Sequence, residues 1–383
     1  MNKFFGVVLI FIAACTKTMA ADYLILKGTV YSETTRTPLP YVNIYPEGTS
    51  YGTFSNLNGQ FEMVIQPEDY TRALVVTFIG YANQKVAMDT SRVYKIYLKE
   101  QTQQLPEITV TGLKADQIIE KFLEKREMNY PHYPLVHKTF LREYEQAESG
   151  ENVYLNEAIV DYHREGYFGK AEDAMKLVKG RNRSFNDEVS YVSGGFGDIR
   201  NDLVKYPKEF LTRKSNYIFD VDMVFNGDRD IYRIAFIPKK NGKYEGYLYI
   251  EDETFALVKA EVYFSETGIS LLNKSAKHVG FSWEKLKETI VYKKSSNGKY
   301  HLSEIITNGR GYDEGLTQTL TSTSELVVIE TDTSTFFANE FYPIINGISL
   351  TEIDFENTPF FWEDNNYIVL EKEFQADSSD GIN

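Results

Sequence analysis

The fold of this chain is decided by residues 40–61, PYVNIYPEGTSYGTFSNLNGQF. Within it, Tyr41, Asn43 and Tyr45 alternate with apolar neighbours, a period of two that is typical of a half-buried β-strand. The Asn-Gly pair at 58–59 tolerates positive φ and predicts a tight hairpin between GTFSN and QFEMVIQ. The stretch therefore predicts paired strands joined by short turns.

Further strands are predicted on both sides of this stretch. YLILKGTVYS precedes it from Tyr23, and ALVVTFIGY follows it as an apolar run bounded by turns, which indicates a strand buried on both faces. Residues 85–87 and 93–98 supply closing strands. Short strands at this spacing imply a small antiparallel sandwich.

Four segments of this region carry a resemblance to a known family: GTV at Gly28, PLPYVNI at Pro38, GTxSNxNGxF at Gly52 and FIGY at Phe78. They are similar to the carboxypeptidase regulatory-like domain, a transthyretin-like seven-stranded β-sandwich common at the front of Bacteroidetes envelope proteins and nutrient transporters. LPEITVTG at 105–112 resembles the strand that closes this module. The resemblance covers about a quarter of the chain and implies a scaffold without catalytic residues.

The pattern changes after Gly112. Residues 114–128, KADQIIEKFLEKREM, place Ile118, Ile119 and Phe122 on one face at helical spacing, with charges elsewhere. This predicts an amphipathic linking helix whose apolar stripe packs into a core.

Strands return from Val136, first as a hairpin and then, from Tyr217 to about Thr331, as seven segments with short polar turns. They predict one large, curved antiparallel sheet. Between the two groups, residues 171–177 read as a helical turn, 179–185 as a loop and 201–206 as a helix after a glycine loop.

Three later segments resemble a second-domain type found behind the regulatory-like module: YRIAFIP at Tyr232, GYLYIEDETFALVK at Gly246 and FWEDNNY at Phe361. The open, wrapped sheet also resembles the architecture of periplasmic lipoprotein carriers, which hold acyl chains on a concave apolar face. Fold alone does not fix function.

The predicted fold class is mainly β, or α+β: a seven-stranded transthyretin-like sandwich, a linking helix, and a large curved antiparallel sheet with a few short helices. The predicted divisions are a signal peptide at 1–21, the sandwich at 22–112, the linking helix at 113–131, the β-rich domain at 132–375 and a disordered polar tail at 376–383.

The first residues read as an export signal. Lys3 forms a minimal basic region, residues 4–14 an apolar run, and 18–20, Thr-Met-Ala, a cleavage site. The sequence before Cys15 also resembles a bacterial lipobox, in which that cysteine carries the lipid anchor, so both routes stay open. Either places the protein in the periplasm or at the outer membrane. The mature chain is expected to have no disulfide and no transmembrane segment.

Composition disfavours nucleic acid as a partner. The formal net charge is −14, and an acidic chain repels a phosphate backbone. The expected partners are instead an outer-membrane protein, or a lipid or glycan ligand. The oligomeric state is not predicted.

No catalytic, metal or cofactor site is predicted. His301 and Glu304 have the H-x-x-E spacing of a zinc peptidase, but no histidine follows Glu304 as a further ligand, and the motif falls in a strand. A calcium site at Asn56 and Asn58 lacks the usual carboxylates. Ser193 precedes a glycine-rich turn that lacks the lysine and hydroxyl of a phosphate loop.

Aromatic residues remain as candidate ligand contacts, because an aromatic face can stack on a sugar ring or line an acyl pocket. The candidates are Tyr244, Tyr247, Tyr249, Phe255, Tyr263 and Trp362. The favoured function is a non-catalytic envelope protein that binds or scaffolds, holding an apolar or glycan ligand on the second-domain sheet. The alternatives are an envelope hydrolase acting on peptide or glycan, and a structural adaptor of an outer-membrane complex.

Overall fold

The computed structural model describes most of the chain, namely residues 24–89, 91–101, 113–185, 195–226, 229–277, 280–334, 340–344, 350, 353, 355 and 366–371. Its elements form a small sandwich followed by a large sheet. In these residues no helix is long and apolar enough to cross a membrane.

The sandwich contains the seven predicted strands in two sheets. The three-stranded sheet has the order β4-β1-β7 and the four-stranded sheet the order β3-β2-β5-β6. The bounds are β1 Leu24–Ser32, β2 Asn43–Pro46, β3 Thr53–Phe54, β4 Gln60–Ile65, β5 Ala73–Thr77, β6 Gln84–Ala87 and β7 Tyr94–Leu98, with a 3-10 turn at Pro67–Asp69. The expectation of a wholly antiparallel sandwich is wrong in one place, because β1 and β7 pair in parallel. The closing strand predicted at 105–112 lies outside the described residues.

Side chains from both small sheets fill the sandwich core. Val30 and Ile44 are completely buried there, and Phe61 is 1% exposed. Gly59 makes the predicted turn with φ +71°, and a Cβ at that position would lie 2.5 Å from the carbonyl oxygen of Val30. The turn therefore requires glycine for both its conformation and its close contact with β1.

The predicted linking helix is present as α1, Ala115–Asn129. Ile118, Ile119 and Phe122 are completely buried against the large sheet. The helix ends where Tyr130 takes an extended conformation before Pro131, as expected for a residue that precedes proline.

The large sheet has eleven antiparallel strands in the order β11-β12-β13-β14-β15-β16-β17-β8-β9-β10-β18. Their bounds are β8 Leu135–Ala147, β9 Asn152–Arg164, β10 Ala174–Ser184, β11 Tyr217–Asn226, β12 Arg229–Pro238, β13 Tyr244–Glu251, β14 Leu257–Phe264, β15 Phe281–Lys294, β16 Tyr300–Asp313, β17 Gln318–Asp332 and β18 Tyr342–Pro343. The predicted large antiparallel sheet is confirmed.

Three short predictions between these strands are wrong. Residues 171–177 and 179–185 were expected to be a helical turn and a loop, but β10 runs through both and pairs with β9 along its length. The helix expected at 201–206 is absent: a 3-10 helix, Gly195–Asn201, ends at the first of these residues, and the others lie in turns. Two α-helices were not predicted: α2, Glu209–Thr212, and α3, Glu266–Ala276.

The two faces of the large sheet have different partners. On β15, Ile290 and Tyr292 are buried in the core that includes α1. Because side chains alternate along a strand, Lys287, Thr289 and Lys293 point to the opposite face, towards the sandwich, and they line a cavity there. We call these the helix side and the sandwich side.

The sandwich packs directly on this second face. Phe54 of β3 is buried with Phe140 and Val327 of the large sheet. The backbone NH of Gly52 donates to the carbonyl of Ile329, 3.0 Å away. The Tyr41 hydroxyl donates to Glu325 at 2.9 Å.

Residues 366–371 lie between the two domains and bind both. The Thr53 hydroxyl donates to the carbonyl of Tyr367 at 2.9 Å, and the Asn56 side chain donates to that of Val369 at 3.1 Å. On the other side, the Arg142 guanidinium donates to the carbonyl of Ile368. The two domains and this segment therefore form a continuous packed structure.

A buried ionic cluster lies under the segment. Arg142 is completely buried and contacts carboxylate oxygens of Glu157 at 2.8 Å and of Glu325 and Glu371 at 3.4 Å each. Burial raises the pKa of Glu325 to about 7, although Arg142 opposes the rise. Since a buried charge is costly without partners, the arginine and its carboxylates depend on one another.

Candidate functional site

A cavity of about 430 Å³ lies between the sandwich and the sandwich side of the large sheet. We call it the interdomain cavity. One wall comes from the sandwich and includes Asn43, Tyr45 and Phe78; the other comes from β14, β15 and β16 and includes Glu261, Lys293 and Glu304.

Three residues that line this cavity each have a buried polar atom without a hydrogen-bond partner within the described part of the chain. The atoms are Asn43 Oδ1, Ser303 Oγ and Glu304 Oε2. The residues are 8%, 1% and 4% exposed. Buried polar groups are almost always hydrogen-bonded, and one left without a partner costs about 1–3 kcal/mol. Three such residues in the lining of one cavity mark a part of its wall where a water molecule or a polar ligand would complete their hydrogen bonds.

A β-bulge directs two of these groups to the cavity. Val291 pairs with Glu304 and Tyr292 with Leu302, so Ser303 has no residue opposite it on β15. The extra residue interrupts the alternation of the strand. Ser303 and Glu304 consequently line the cavity together, although neighbours in a regular strand point to opposite faces.

Glu304 is held in its uncharged form at neutral pH. Burial raises the pKa of this carboxyl to about 8; Lys259 acts in the opposite direction and Glu325 reinforces the rise. A protonated carboxyl can donate one hydrogen bond and accept others. The cavity thus offers a donor and acceptors close to the bulge.

Three lysines on the same face have different surroundings. Lys259 Nζ and Lys287 Nζ lie 3.1 and 3.7 Å from Glu261 Oε1, and Tyr249 also donates to that carboxylate at 3.1 Å. Burial opposes ionisation of Glu261, but the two lysines hold its pKa below the usual range. Lys293 is half-buried, and burial lowers its pKa to about 8.

The structure divides the predicted ligand-contacting aromatics between the two faces. Tyr244 packs edge-on to Phe210 on the helix side, with ring centroids 6.0 Å apart, and Phe255 stacks on Tyr232. The other three described candidates are on the sandwich side: Tyr247, Tyr249 and Tyr263. Trp362 and the lipidation candidate Cys15 lie outside the described residues.

On the sandwich side, Lys259 lies 5.2 Å from the centroid of the Tyr249 ring and Lys287 lies 5.1 Å from that of Tyr263. Tyr247 is 37% exposed. These rings adjoin the lysines of the interdomain cavity without being among its lining residues.

The H-x-x-E motif separates into two environments. The ring of His301 lies 6.3 Å from that of His137, edge to face, and Glu304 faces the cavity. The described residues contain no group of three or more His, Cys, Asp or Glu side chains arranged to hold a metal. Asn56 Oδ1 accepts from the backbone NH of Asn58 and of Gln60, as in a side-chain-stabilised turn.

Sequence reasoning missed Asn43, Ser303 and Lys293 as site residues. Asn43 was assigned only to the alternating pattern of a strand, and Ser303 lies within the H-x-x-E spacing that was rejected as a zinc motif. One signal was available: Glu304 stands in the strand sequence HLSEIIT, where a single acid beside apolar residues indicates a buried carboxyl.

Comparison with known proteins identifies the first domain. Residues 26–110 match the family model described as the CarboxypepD_reg-like domain. The predicted carboxypeptidase regulatory-like domain is confirmed, and strands β1–β7 form it.

Two curated relatives are TonB-dependent receptors by name. The chain is 33% identical over 75 residues to the TonB-dependent receptor P39 of Formosa agariphila, which is 20% of this chain and 7% of that protein. It is 31% identical over 113 residues to the TonB-dependent receptor SusC of Bacteroides thetaiotaomicron, 29% of this chain and 11% of that protein. The chain therefore spans only about a tenth of the length of the relatives it matches.

Solved structures give only distant likenesses. A putative outer membrane lipoprotein-sorting protein domain from Vibrio parahaemolyticus is 12% identical, with 58% of this chain and 94% of that chain covered and a TM-score of 0.28. A LolA superfamily protein from Nitrosomonas europaea is 14% identical, with 60% and 97% covered and a TM-score of 0.25. Nothing about function follows from TM-scores this low.

Proposed function

We propose that this protein is an exported, non-catalytic component of the bacterial cell envelope that binds a small glycan-type ligand in the interdomain cavity. One observation carries the proposal: Asn43, Ser303 and Glu304, each with a buried polar atom that has no partner in the described chain, line one cavity between two packed domains. An envelope location is supported by the CarboxypepD_reg-like domain and by the receptors that share it.

The cavity favours a polar ligand over an acyl chain. Its volume of about 430 Å³ falls within the range of about 300–1,000 Å³ of small-molecule sites. An acyl chain would leave the three polar atoms desolvated and unpaired, which is costly. A sugar presents hydroxyls to such atoms and an apolar ring face to aromatic residues, and Tyr45 and Phe78 line the sandwich wall.

The helix side offers less room for an apolar ligand. Tyr130, Tyr292 and Tyr300 pack there with ring centroids about 6 Å apart, and α1 covers them. Within the described chain these rings belong to the packed core, and Tyr292 and Tyr300 also line the interdomain cavity. The lipid-carrier alternative would need that core to open.

A glycan hydrolase is the second candidate, because two carboxyls with opposite pKa shifts line one cavity. Glu304 has the raised pKa of a general acid, and Glu261 the lowered pKa of a carboxylate that stays ionised. However, Glu261 is engaged by Lys259, Lys287 and Tyr249. A carboxylate held in this way is poorly placed to activate water, so the arrangement favours binding.

The outer-membrane partner remains part of the proposal. The relatives are TonB-dependent receptors by name, and a protein with the same kind of front domain is a reasonable companion of such a receptor. An adaptor role without a ligand would leave the cavity atoms unexplained.

Native mass spectrometry of the full chain, purified from its own envelope, tests the proposal. We expect a small polar molecule bound to the protein. Thr289→Phe, which fills the cavity floor, should abolish the bound mass, and Thr321→Phe, at an exposed position of β17, should retain it. A wild-type protein that is always empty would refute ligand binding, and release of reducing sugar from envelope glycans would favour the hydrolase.

A further inference from the structure

Lys293 differs from the other lysines of the interdomain cavity. Lys259 and Lys287 share the carboxylate of Glu261, whereas Lys293 has neither a hydrogen bond nor an ion pair within the described residues. Its Nζ lies 6.0 Å from the centroid of the Tyr45 ring, so the side chain points towards the sandwich wall. A cation and an aromatic ring at this distance contribute only about 0.5–1 kcal/mol.

The position of Lys293 makes this arrangement costly. It is half-buried between two domains, and burial lowers the pKa of its ammonium group to about 8. The group is still mainly protonated at pH 7. A charge that is partly removed from water is stabilised by a counter-ion.

The remaining charges of the cavity do not supply that counter-ion. Its glutamates are Glu251, Glu261 and Glu304. Glu251 accepts hydrogen bonds from Thr254 and Tyr300, Glu261 is shared by two other lysines, and Glu304 is uncharged at neutral pH.

Four lysines line the cavity, Lys294 being the fourth. The three glutamates of the lining carry at most two negative charges, because Glu304 is uncharged at neutral pH, so the lining has an excess of positive charge.

We infer that the ligand of the interdomain cavity carries an oxyanion, either a carboxylate or a phosphate, and that Lys293 binds it. This inference rests on the proposed function. An ammonium and an oxyanion form a charge-assisted hydrogen bond, about twice as strong as a neutral one. Ser303, Asn43 and the protonated Glu304 then bind the uncharged part of the same molecule.

Three sugars with one ring and different groups at C6 test this inference on the full mature chain: glucose, glucuronate and glucose 6-phosphate. Calorimetry at pH 7 should show at least tenfold tighter binding of one of the two acids than of glucose, and the better acid distinguishes carboxylate from phosphate. Lys293→Met should remove that advantage and leave the affinity for glucose unchanged.

Two variants control the experiment. Lys293→Arg keeps the cation and should retain most of the preference for the acid. Lys285→Met removes an exposed lysine of the same strand, outside the cavity, and should change nothing. Melting temperatures close to that of the wild type show that each variant is folded.

The outcomes separate the inference from the proposed function. Equal affinities for glucose and both acids overturn the inference alone, as does recovery of an uncharged molecule from the native protein. An acid preference that survives in Lys293→Met also overturns it. Binding of none of the three sugars, together with a native protein that carries no small molecule, counts against both.

Discussion

Replacing Glu304 with glutamine tests whether its buried carboxyl is uncharged at neutral pH, on which its role as a hydrogen-bond donor depends. Glutamine has the same shape and cannot ionise. Burial raises the pKa of Glu304 from 4.5 to about 8. At ~1.36 kcal/mol for each pKa unit, ionisation of Glu304 in the folded protein lowers the free energy of unfolding by at most about 5 kcal/mol.

The sign of the effect follows from proton binding. Between pH 4.5 and about 8 the folded protein binds more protons at Glu304 than the unfolded chain does. The contribution of this residue therefore makes wild-type stability fall as pH rises through that window, and the full cost is present above pH 8. The glutamine variant lacks this dependence.

Urea unfolding followed by tyrosine and tryptophan fluorescence measures the difference at pH 5 and pH 9. We expect similar free energies of unfolding at pH 5, within about 1 kcal/mol, and a variant that is more stable than the wild type by about 2–5 kcal/mol at pH 9. Glu284→Gln, an exposed carboxylate 2.9 Å from Arg310, is the control and should behave alike at both values. A difference between wild type and Glu304→Gln that does not change with pH would refute the reasoning.

The remaining predictions concern packing. Arg142→Met removes the buried cation of Glu325 and Glu371 and one of the two cations that bind Glu157, and it should lower the free energy of unfolding by about 3–5 kcal/mol. Arg310→Met, at a surface ion pair, should lower it far less; equal losses in urea titrations would contradict this. Gly246→Ala puts a Cβ 1.9 Å from a carbonyl of β14 and should lower the free energy of unfolding by more than about 2 kcal/mol. Gly150→Ala, in open space, should lower it by about 1 kcal/mol. Thermal unfolding measures both. Tyr41→Phe removes the donor to a buried carboxylate across the domain interface and should lower the free energy of unfolding by about 1–3 kcal/mol. Faster proteolysis between the domains is the second readout. An unchanged free energy of unfolding would show that this hydrogen bond does not stabilise the interface.

The sandwich could be predicted from sequence because its determinants are local. The Asn-Gly turn at 58–59 and the alternation through Ile44 specify a hairpin within a few residues. The parallel pairing of β1 with β7 joins residues about 65 positions apart. The residue pattern of neither strand predicts whether its neighbour runs parallel or antiparallel. The parallel pairing is therefore seen only in the structure.

The errors at β10 and α3 have local and tertiary causes. Residues 174–184 carry four lysines and arginines, which resembles a loop, but pairing with β9 satisfies their backbone and Glu157 binds Arg181. For α3, Ser265 caps the helix by accepting from the NH of Gly268, a signal that was available in the sequence. It was overlooked because the helix has a single buried residue and so no long apolar stripe.

The candidate site could not be assembled from sequence, because its groups come from distant parts of the chain and from opposite domains. Asn43 and Tyr45 belong to β2, whereas Lys293 and Glu304 belong to β15 and β16. Each has an ordinary explanation in its own strand. Only the packing of the sandwich on the large sheet buries these groups and leaves the polar atoms of Asn43 and Glu304 without partners.

The same packing gives residues 40–61 a second role. Their glycines and asparagines determine the turns of the sandwich, yet Asn43, Tyr45 and Phe54 also form a wall of the interdomain cavity. The large sheet supplies the charges of that cavity, and the sandwich supplies their burial. Binding by the proposed mechanism therefore requires both domains, and a sandwich lacking the large sheet would retain its fold determinants without the lysines that line the cavity.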